Sequence, residues 1–370
     1  MIYLDNAATS LIKPAAVGRA VVKAMGSLAS PGRGGHPPAM AAAETVYTCR
    51  EEAAALFHME DPAQVVFTQN ATHALNLAIR SLAKPGTKVL ISGFEHNAVT
   101  RPLHALGAEI FVAGRQVFDA QGTLEDFERQ LDGAELVVCT HVSNVFGYVL
   151  PIYELAELCR ARGVPLIVDA SQSAGILDVD VQRLGAAFVA MPGHKSLFGP
   201  QGSGLLLCGQ RGEPLLFGGS GFDSVRQTMP EELPERLEAG TANVCGIAGL
   251  LEGLRYVRRK GTAAICAHER ALLTQAVHGL QDTDYELFYG EGQCGVLSLR
   301  SPRWDSEELA ARLSEQGVCV RSGLHCAPLA HRSAGTLETG TVRLSFSPFV
   351  TAEELQSACE LLRTLSMERN

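Results

Sequence analysis

No apolar run in the chain approaches the roughly 20 residues that a membrane-spanning helix needs. Charge is scarce, with Asp, Glu, Lys and Arg making up 19% of 370 residues, and no block of basic residues occurs. With a formal net charge of −9, the chain lacks the electrostatic footprint of a nucleic-acid or anionic-membrane partner. Its ten cysteines include no CxxC pair, so neither a disulfide framework nor a zinc ribbon is indicated. Cys319, His325 and Cys326 also lack zinc spacing, and no metal site is expected. The opening MIYLDNAATSLIKP has no basic segment followed by an apolar core, as a signal peptide would. No internal repeat or low-complexity tract appears. What remains is a 46% hydrophobic composition, which predicts a cytoplasmic globular protein with a large core and reduced, mostly buried cysteines.

Apolar strands and amphipathic helices alternate along the first half. Strands are predicted at 64–68, 88–92, 109–112, 135–140 and 165–169, with 186–191 and 204–208 beyond them. Helical periodicity covers 14–25, 40–57, 72–82, 99–106, 124–131 and 152–161. This alternation predicts a mainly parallel sheet covered on both faces, with ligands bound beyond the strand carboxyl ends. Residues 209–235 read as irregular. A long helix over 245–260 leads into a region of different texture, with helices at 263–280, 306–315 and 352–365 and strands at 296–299 and 341–345. We divide the chain into a large domain, 15–245, and a smaller α+β domain made of 1–14 and 246–370.

The stretch around which these elements are organised is MPGHKSLFGPQGSG, Met191 to Gly204. It sets Lys195 on a glycine-rich turn between two apolar strands. Burial disfavours an ammonium and lowers its pKa, the condition an amine needs to attack a carbonyl. A surface lysine in an ordinary turn is the competing reading. The other strand ends also carry polar groups. Thr72 falls in the first turn of a helix, where free N–H groups suit a phosphate, though taken alone a plain capping threonine is the favoured reading. His96 follows the second strand, placed to stack on a flat ring or move protons. Asn144 follows a later strand and offers an amide to a carboxylate or phenolic oxygen. Asp169 ends an apolar strand, so it requires a cationic partner, either a protonated pyridine nitrogen or an arginine. Gln172 lies three residues on.

DASQSAG followed by PGHKSLFGPQGSG resembles the class V, fold-type I pyridoxal-phosphate enzymes, the cysteine desulfurases in particular. YLDNAATSLIKP, SPGRGGHP, EHNAVTRP, HVSNVFG, LEAGTANVCGIAG, VRSGLHCAP and TVRLSFSPFVTAEEL extend the resemblance over nearly the whole chain. It implies a large domain with a mainly parallel seven-stranded sheet, and pyridoxal 5'-phosphate as cofactor. Lys195 would carry the cofactor, Asp169 would pair with its ring nitrogen, His96 would stack on the ring, and Gln172 would contact its hydroxyl. Thr72 and His194 would hold the phosphate. Ala71 and Pro192 stand where relatives often have hydroxyls, so backbone N–H groups or water would compensate. Asn144 and Arg343 would hold the substrate carboxylate. Thr241 would reach the neighbouring subunit's phosphate, implying a homodimer.

Cys326, in RSGLHCAP, matches the desulfurase nucleophile. A thiolate there would take sulfur from L-cysteine, leaving L-alanine and an enzyme-bound persulfide, with Lys195 or His96 protonating carbon. The flanking glycines and proline suggest a mobile loop, and His325 is placed to favour the thiolate. The short Cys326 segment resembles type II more than type I desulfurases, although 209–238 looks shorter than in type II. A sulfur-acceptor protein is a further expected partner. The alternative is another class V reaction that does not depend on Cys326, namely selenocysteine lysis, C–S elimination or transamination.

Overall fold

Five-residue LVVCT, Leu136–Thr140, is buried at every position, as a strand covered on both faces must be. It lies inside a seven-stranded sheet of the computed structural model, which describes residues 1–32, 34–221 and 224–368. Arg33 of the SPGRGGHP motif and Phe222 and Asp223 of the irregular segment lie outside the described residues.

In chain order the large-sheet half comprises β1 (Ile2–Tyr3), α1 (Ala15–Ser27), α2 (Pro37–Leu56), β2 (Val65–Thr68), α3 (Ala71–Leu82), β3 (Lys88–Ser92), α4 (Asn97–Leu106), β4 (Glu109–Ala113) and α5 (Ala120–Leu131). It continues through β5 (Leu136–Thr140), α6 (Ile152–Arg162), β6 (Leu166–Asp169), α7 (Val181–Leu184), β7 (Phe188–Pro192) and β8 (Gly204–Cys208). Then follow α8 (Val244–Lys260), α9 (Thr262–Leu280), β9 (Glu286–Phe288), β10 (Val296–Arg300), α10 (Ser306–Glu315), β11 (Val318–Cys319), β12 (Arg321–Gly323), α11 (Pro328–Ser333), β13 (Thr341–Ser345) and α12 (Ala352–Met367).

The large sheet has the order β2-β8-β7-β6-β5-β3-β4. Pairs among β4, β3, β5, β6 and β7 are parallel, while β8 runs antiparallel to both β7 and β2. Consequently β2, β3, β5, β6 and β7 all point their carboxyl ends to one edge. That edge carries the loops bearing Thr72, His96, Asn144, Asp169 and Lys195.

The second half builds a four-stranded antiparallel sheet, β12-β13-β10-β9, against α9, α10 and α12. β1 pairs with β11, and Asp5 bridges to Ser345, so the first residues pack with this half. α8 behaves otherwise. Although most of it falls within 246–370, its Ile247, Leu250, Leu251 and Leu254 join the core of the large sheet. Its apolar stripe is what α1 and α2 need for burial, and that side of the sheet supplies it.

Candidate active site

β7 ends at Pro192, and the chain turns through Lys195 before returning as β8. The turn is closed by Gly193 N–H to Ser203 O (2.8 Å), Phe198 N–H to Lys195 O (2.9 Å) and Gly199 N–H to Gly193 O (2.7 Å). Two glycines admit it. Gly175, at φ 90°, lies where any side chain would strike the Ser196 carbonyl, and a side chain at Gly253 of α8 would strike that of Leu197. Lys195 is thereby held half-buried between DASQSAG and α8. Burial lowers its amine to about 8, with Asp169 opposing and Arg343 and Arg321 adding to the shift.

Asp169 is 2% exposed at the last position of β6. Its Oδ1 accepts the Ser171 N–H at 2.9 Å, and among the described residues no arginine forms an ion pair with it. The arginine alternative raised by the sequence therefore has no counterpart. Gln172 is buried and donates its amide to the Ala7 carbonyl at 3.0 Å, tying this loop to the N-terminal segment.

His96 caps α4 and accepts the Ala98 N–H on Nδ1 at 3.0 Å. Burial first, and the Lys195 charge second, lower its pKa to about 4, which leaves a neutral ring. Beside it stands Glu95, fully buried and unremarked in the sequence reading. Its Oε1 accepts Ser92 Oγ (2.5 Å) and Thr140 N–H (2.7 Å), and Oε2 has no partner. Burial raises its pKa to about 8, so the group is a neutral acid. The EHN triplet was the only available signal.

His194, next to Lys195, has its pKa lowered to about 4, chiefly by burial. Its Nδ1 meets Thr9 Oγ1 at 3.0 Å, and its carbonyl accepts Ser10 Oγ (3.0 Å) and Lys13 Nζ (3.3 Å). The ATSLIK stretch thus clamps the lysine turn. Ala71 and Thr72 occupy the first two positions of α3, where the N–H groups lack intrahelical partners; Thr72 is exposed and Ala71 buried. Neither Ala71 nor Pro192 brings a hydroxyl. Thr241 is exposed and lines a separate cavity of about 640 Å³ with Tyr47, His73 and Gly202. Lys195, Asp169, His96 and Arg343 are absent from that cavity's wall.

Arg343 is 1% exposed. Its Nη2 pairs with Asp5 Oδ1 at 2.7 Å, its Nη1 donates to the Asn144 carbonyl at 2.8 Å, and its Nε is buried without a partner. Arg321 stands opposite it across the β12–β13 pair, on the same face. Neither Asp5 nor Arg321 was identified from the sequence.

Among the ten cysteines, only Cys326 is exposed. The turn that carries it is tied to its neighbours by backbone and side-chain hydrogen bonds. The Cys326 carbonyl accepts the Asn97 N–H at 2.7 Å, the His325 carbonyl accepts Asn144 Nδ2 at 2.9 Å, and Ala327 N–H closes onto Leu324 O at 2.8 Å. His325 and Cys326 are both left-handed, at φ 50° and 56°, a conformation that costs a non-glycine residue roughly 1–2 kcal/mol. His325 also departs from expectation. Its ring is buried, with its pKa lowered to about 2, mainly by burial, and both nitrogens engaged elsewhere, so it brings no charge to the thiol.

These groups fit pyridoxal phosphate. A buried carboxylate without a salt bridge, an amine of lowered pKa and a neutral imidazole lie on the large sheet's edge, and a buried arginine of the smaller sheet with an unpartnered nitrogen is joined to that edge through the Asn144 carbonyl. The profile of the Aminotransferase class-V family matches residues 2–357. A probable cysteine desulfurase of Pyrococcus abyssi is 33% identical, over 99% of this chain and 94% of that protein. The apo structure of cysteine desulfurase from Thermococcus onnurineus NA1 superposes with a TM-score of 0.90 at 32% identity, covering 99% of this chain and 94% of that one. The cysteine desulfurase CsdA (S-sulfonic acid) from Escherichia coli does so at 0.85 and 25%, covering 98% and 93%. With its lysine turn, buried carboxylate and sheet edge arranged on this fold, the chain belongs to the class-V aminotransferase family.

Proposed function

We propose that the protein is a cysteine desulfurase, converting L-cysteine to L-alanine and retaining the sulfur as a persulfide on Cys326. The observation that carries this reading is the exposed Cys326 on a turn fastened to Asn97, next to His96, and to Asn144, next to Arg343. When bound, pyridoxal 5'-phosphate withdraws electrons from the substrate's carbon skeleton. The chain's residues do the rest. Lys195 attaches the cofactor through its readily deprotonated amine. Asp169 would supply the negative charge for the ring nitrogen, His96 would stack on the ring and Gln172 would contact its hydroxyl. The Ala71, Thr72 and His194 groups would hold the phosphate. Arg343, with Asn144, orients the substrate carboxylate, for which a planar fork is the matching shape.

With the substrate so held, the Cys326 thiolate attacks its sulfur. The S–S bond forms, the Cβ–S bond breaks, and its electron pair stays on carbon, which takes a proton from Lys195 or His96. With its pKa lowered to about 4, His96 is neutral at pH 7 and adds no fixed positive charge beside Lys195.

Thr241, we further propose, completes the partner's phosphate site in a homodimer. Exposed Tyr47 and Leu216, which line the open cavity beside Thr241, support an interface on that face. Residues 15–245 form the cofactor domain of this reading, with α8 packed on it. Among the described residues no helix is long and apolar enough to cross a membrane; a cytoplasmic location and a sulfur-accepting protein partner belong to the same proposal.

Mass spectrometry of protein treated with L-cysteine and no acceptor tests the reading. One added sulfur atom, mapped to Cys326 and removed by reductant, is expected. Cys326→Ser should keep the cofactor's colour and lose turnover by orders of magnitude, because a hydroxyl is a far weaker nucleophile toward sulfur. Full activity of Cys326→Ser would make the enzyme a lyase.

A further inference from the structure

Beneath the Cys326 turn runs a chain of polar side chains that the reaction itself leaves unused. Thr336 Oγ1 meets His331 Nδ1 at 2.8 Å, His331 Nε2 meets His325 Nδ1 at 3.4 Å, and His325 Nε2 meets the Arg321 carbonyl at 3.2 Å. Thr336 and His331 are fully buried, His325 nearly so, and the two imidazoles lie almost parallel, at 11°.

The chemistry of the last contact fixes all the others. A carbonyl only accepts, so His325 Nε2 carries a proton. Burial keeps both rings neutral, lowering His325 to about 2 and His331 to about 4. A neutral His325 with a proton on Nε2 has a bare Nδ1, which accepts from His331 Nε2–H. His331 in turn has a bare Nδ1, which accepts the Thr336 hydroxyl. Donation therefore runs one way, from Thr336 through both rings to Arg321.

The end it braces is the nucleophile. His325 is one of two successive left-handed residues, the other being Cys326, and strained backbone persists only where its surroundings over-determine it. We propose that His331 and Thr336, acting through His325, are positioning residues that hold the Cys326 turn in the conformation aiming its thiol at the substrate sulfur. The claim rests on the desulfurase reading for its substrate, but not for its geometry.

Two measurements on the cofactor-loaded protein test it. Long-range ¹⁵N spectra at neutral pH should show His325 and His331 both as Nε2–H tautomers; an Nδ1–H tautomer or a charged ring at either overturns the chain. In kinetics with L-cysteine, His331→Phe should lower kcat by about tenfold or more with KM within about twofold, since small misplacements of a reacting group are costly. Alkylation of Cys326 by iodoacetamide should stay near the wild-type rate, because exposure of the thiol is unchanged. His331→Gln, which keeps a donor towards His325, should recover most of kcat. A folded His331→Phe with wild-type kcat, or with alkylation falling in step with kcat, overturns positioning. Should His331→Phe not fold, Thr336→Val replaces it, with a kcat loss of about threefold expected and an unchanged kcat decisive against the proposal. If wild type yields no alanine, the desulfurase reading fails while the tautomers still decide the chain.

Discussion

Asp5 and Arg343, 338 positions apart, form a 2.7 Å ion pair in which the arginine is buried and the aspartate partly so. The pair holds the guanidinium while its Nε is left without a partner, and on the proposed reading this fork would receive the substrate carboxylate. Arg343→Lys keeps the charge but loses the planar fork. KM for L-cysteine should rise on the order of tenfold, the worth of one charge-assisted hydrogen bond, with cofactor retained. Steady-state kinetics beside visible absorbance check this, and unchanged KM removes Arg343 from the carboxylate site.

Lys195 has its amine lowered to about 8 by burial. Only the neutral amine attacks a carbonyl, so covalent capture of pyridoxal phosphate by cofactor-free protein should accelerate with pH and level off above that value. Borohydride trapping followed by peptide mass analysis reads the rate at Lys195. A rate still climbing tenfold per unit above pH 9 would place the amine near its unperturbed value of about 10.4.

Glu95 gives a stability signature of definite sign. Its folded pKa, about 8, exceeds the unfolded value of about 4.3. Its contribution is therefore complete below the unfolded value and is lost as pH climbs towards 8. Glu95→Gln removes that dependence. The stability of the variant relative to wild type should improve by about 2 kcal/mol between pH 6 and pH 8, at about 1.36 kcal/mol per unit. Denaturant titrations at both pH values measure it; a difference that does not change with pH rules out a buried neutral acid.

Thr241→Ala should weaken cofactor retention by about 1 kcal/mol if one hydrogen bond to the partner's phosphate is lost. Equilibrium dialysis gives the affinity and light scattering the oligomeric state. A fully active monomer contradicts a shared site.

The sequence by itself determined the sheet and most of its edge. β3, β8, α10 and β13 coincide with the predicted spans because each is an unbroken apolar or amphipathic run with sharp polar or glycine boundaries. Lys195 and Asp169 were legible for the same reason, as charged residues at the ends of strands that bury everything else. The short elements β1, β9, β11, β12 and α11, two to six residues each, contain too few residues to show a period. Tertiary structure alone decided the pairings across the chain. His325 follows the sequence as Cys326's neighbour, yet its ring turns to His331 and Arg321, because a left-handed turn exposes the thiol while the imidazole is buried. Asp5 reaches Arg343 only because the chain after β1 bridges to Ser345 of β13, and Arg321 stands across from Arg343 only because β12 pairs with β13. Contacts of that kind depend on which strands pair, and local periodicity carries no record of it.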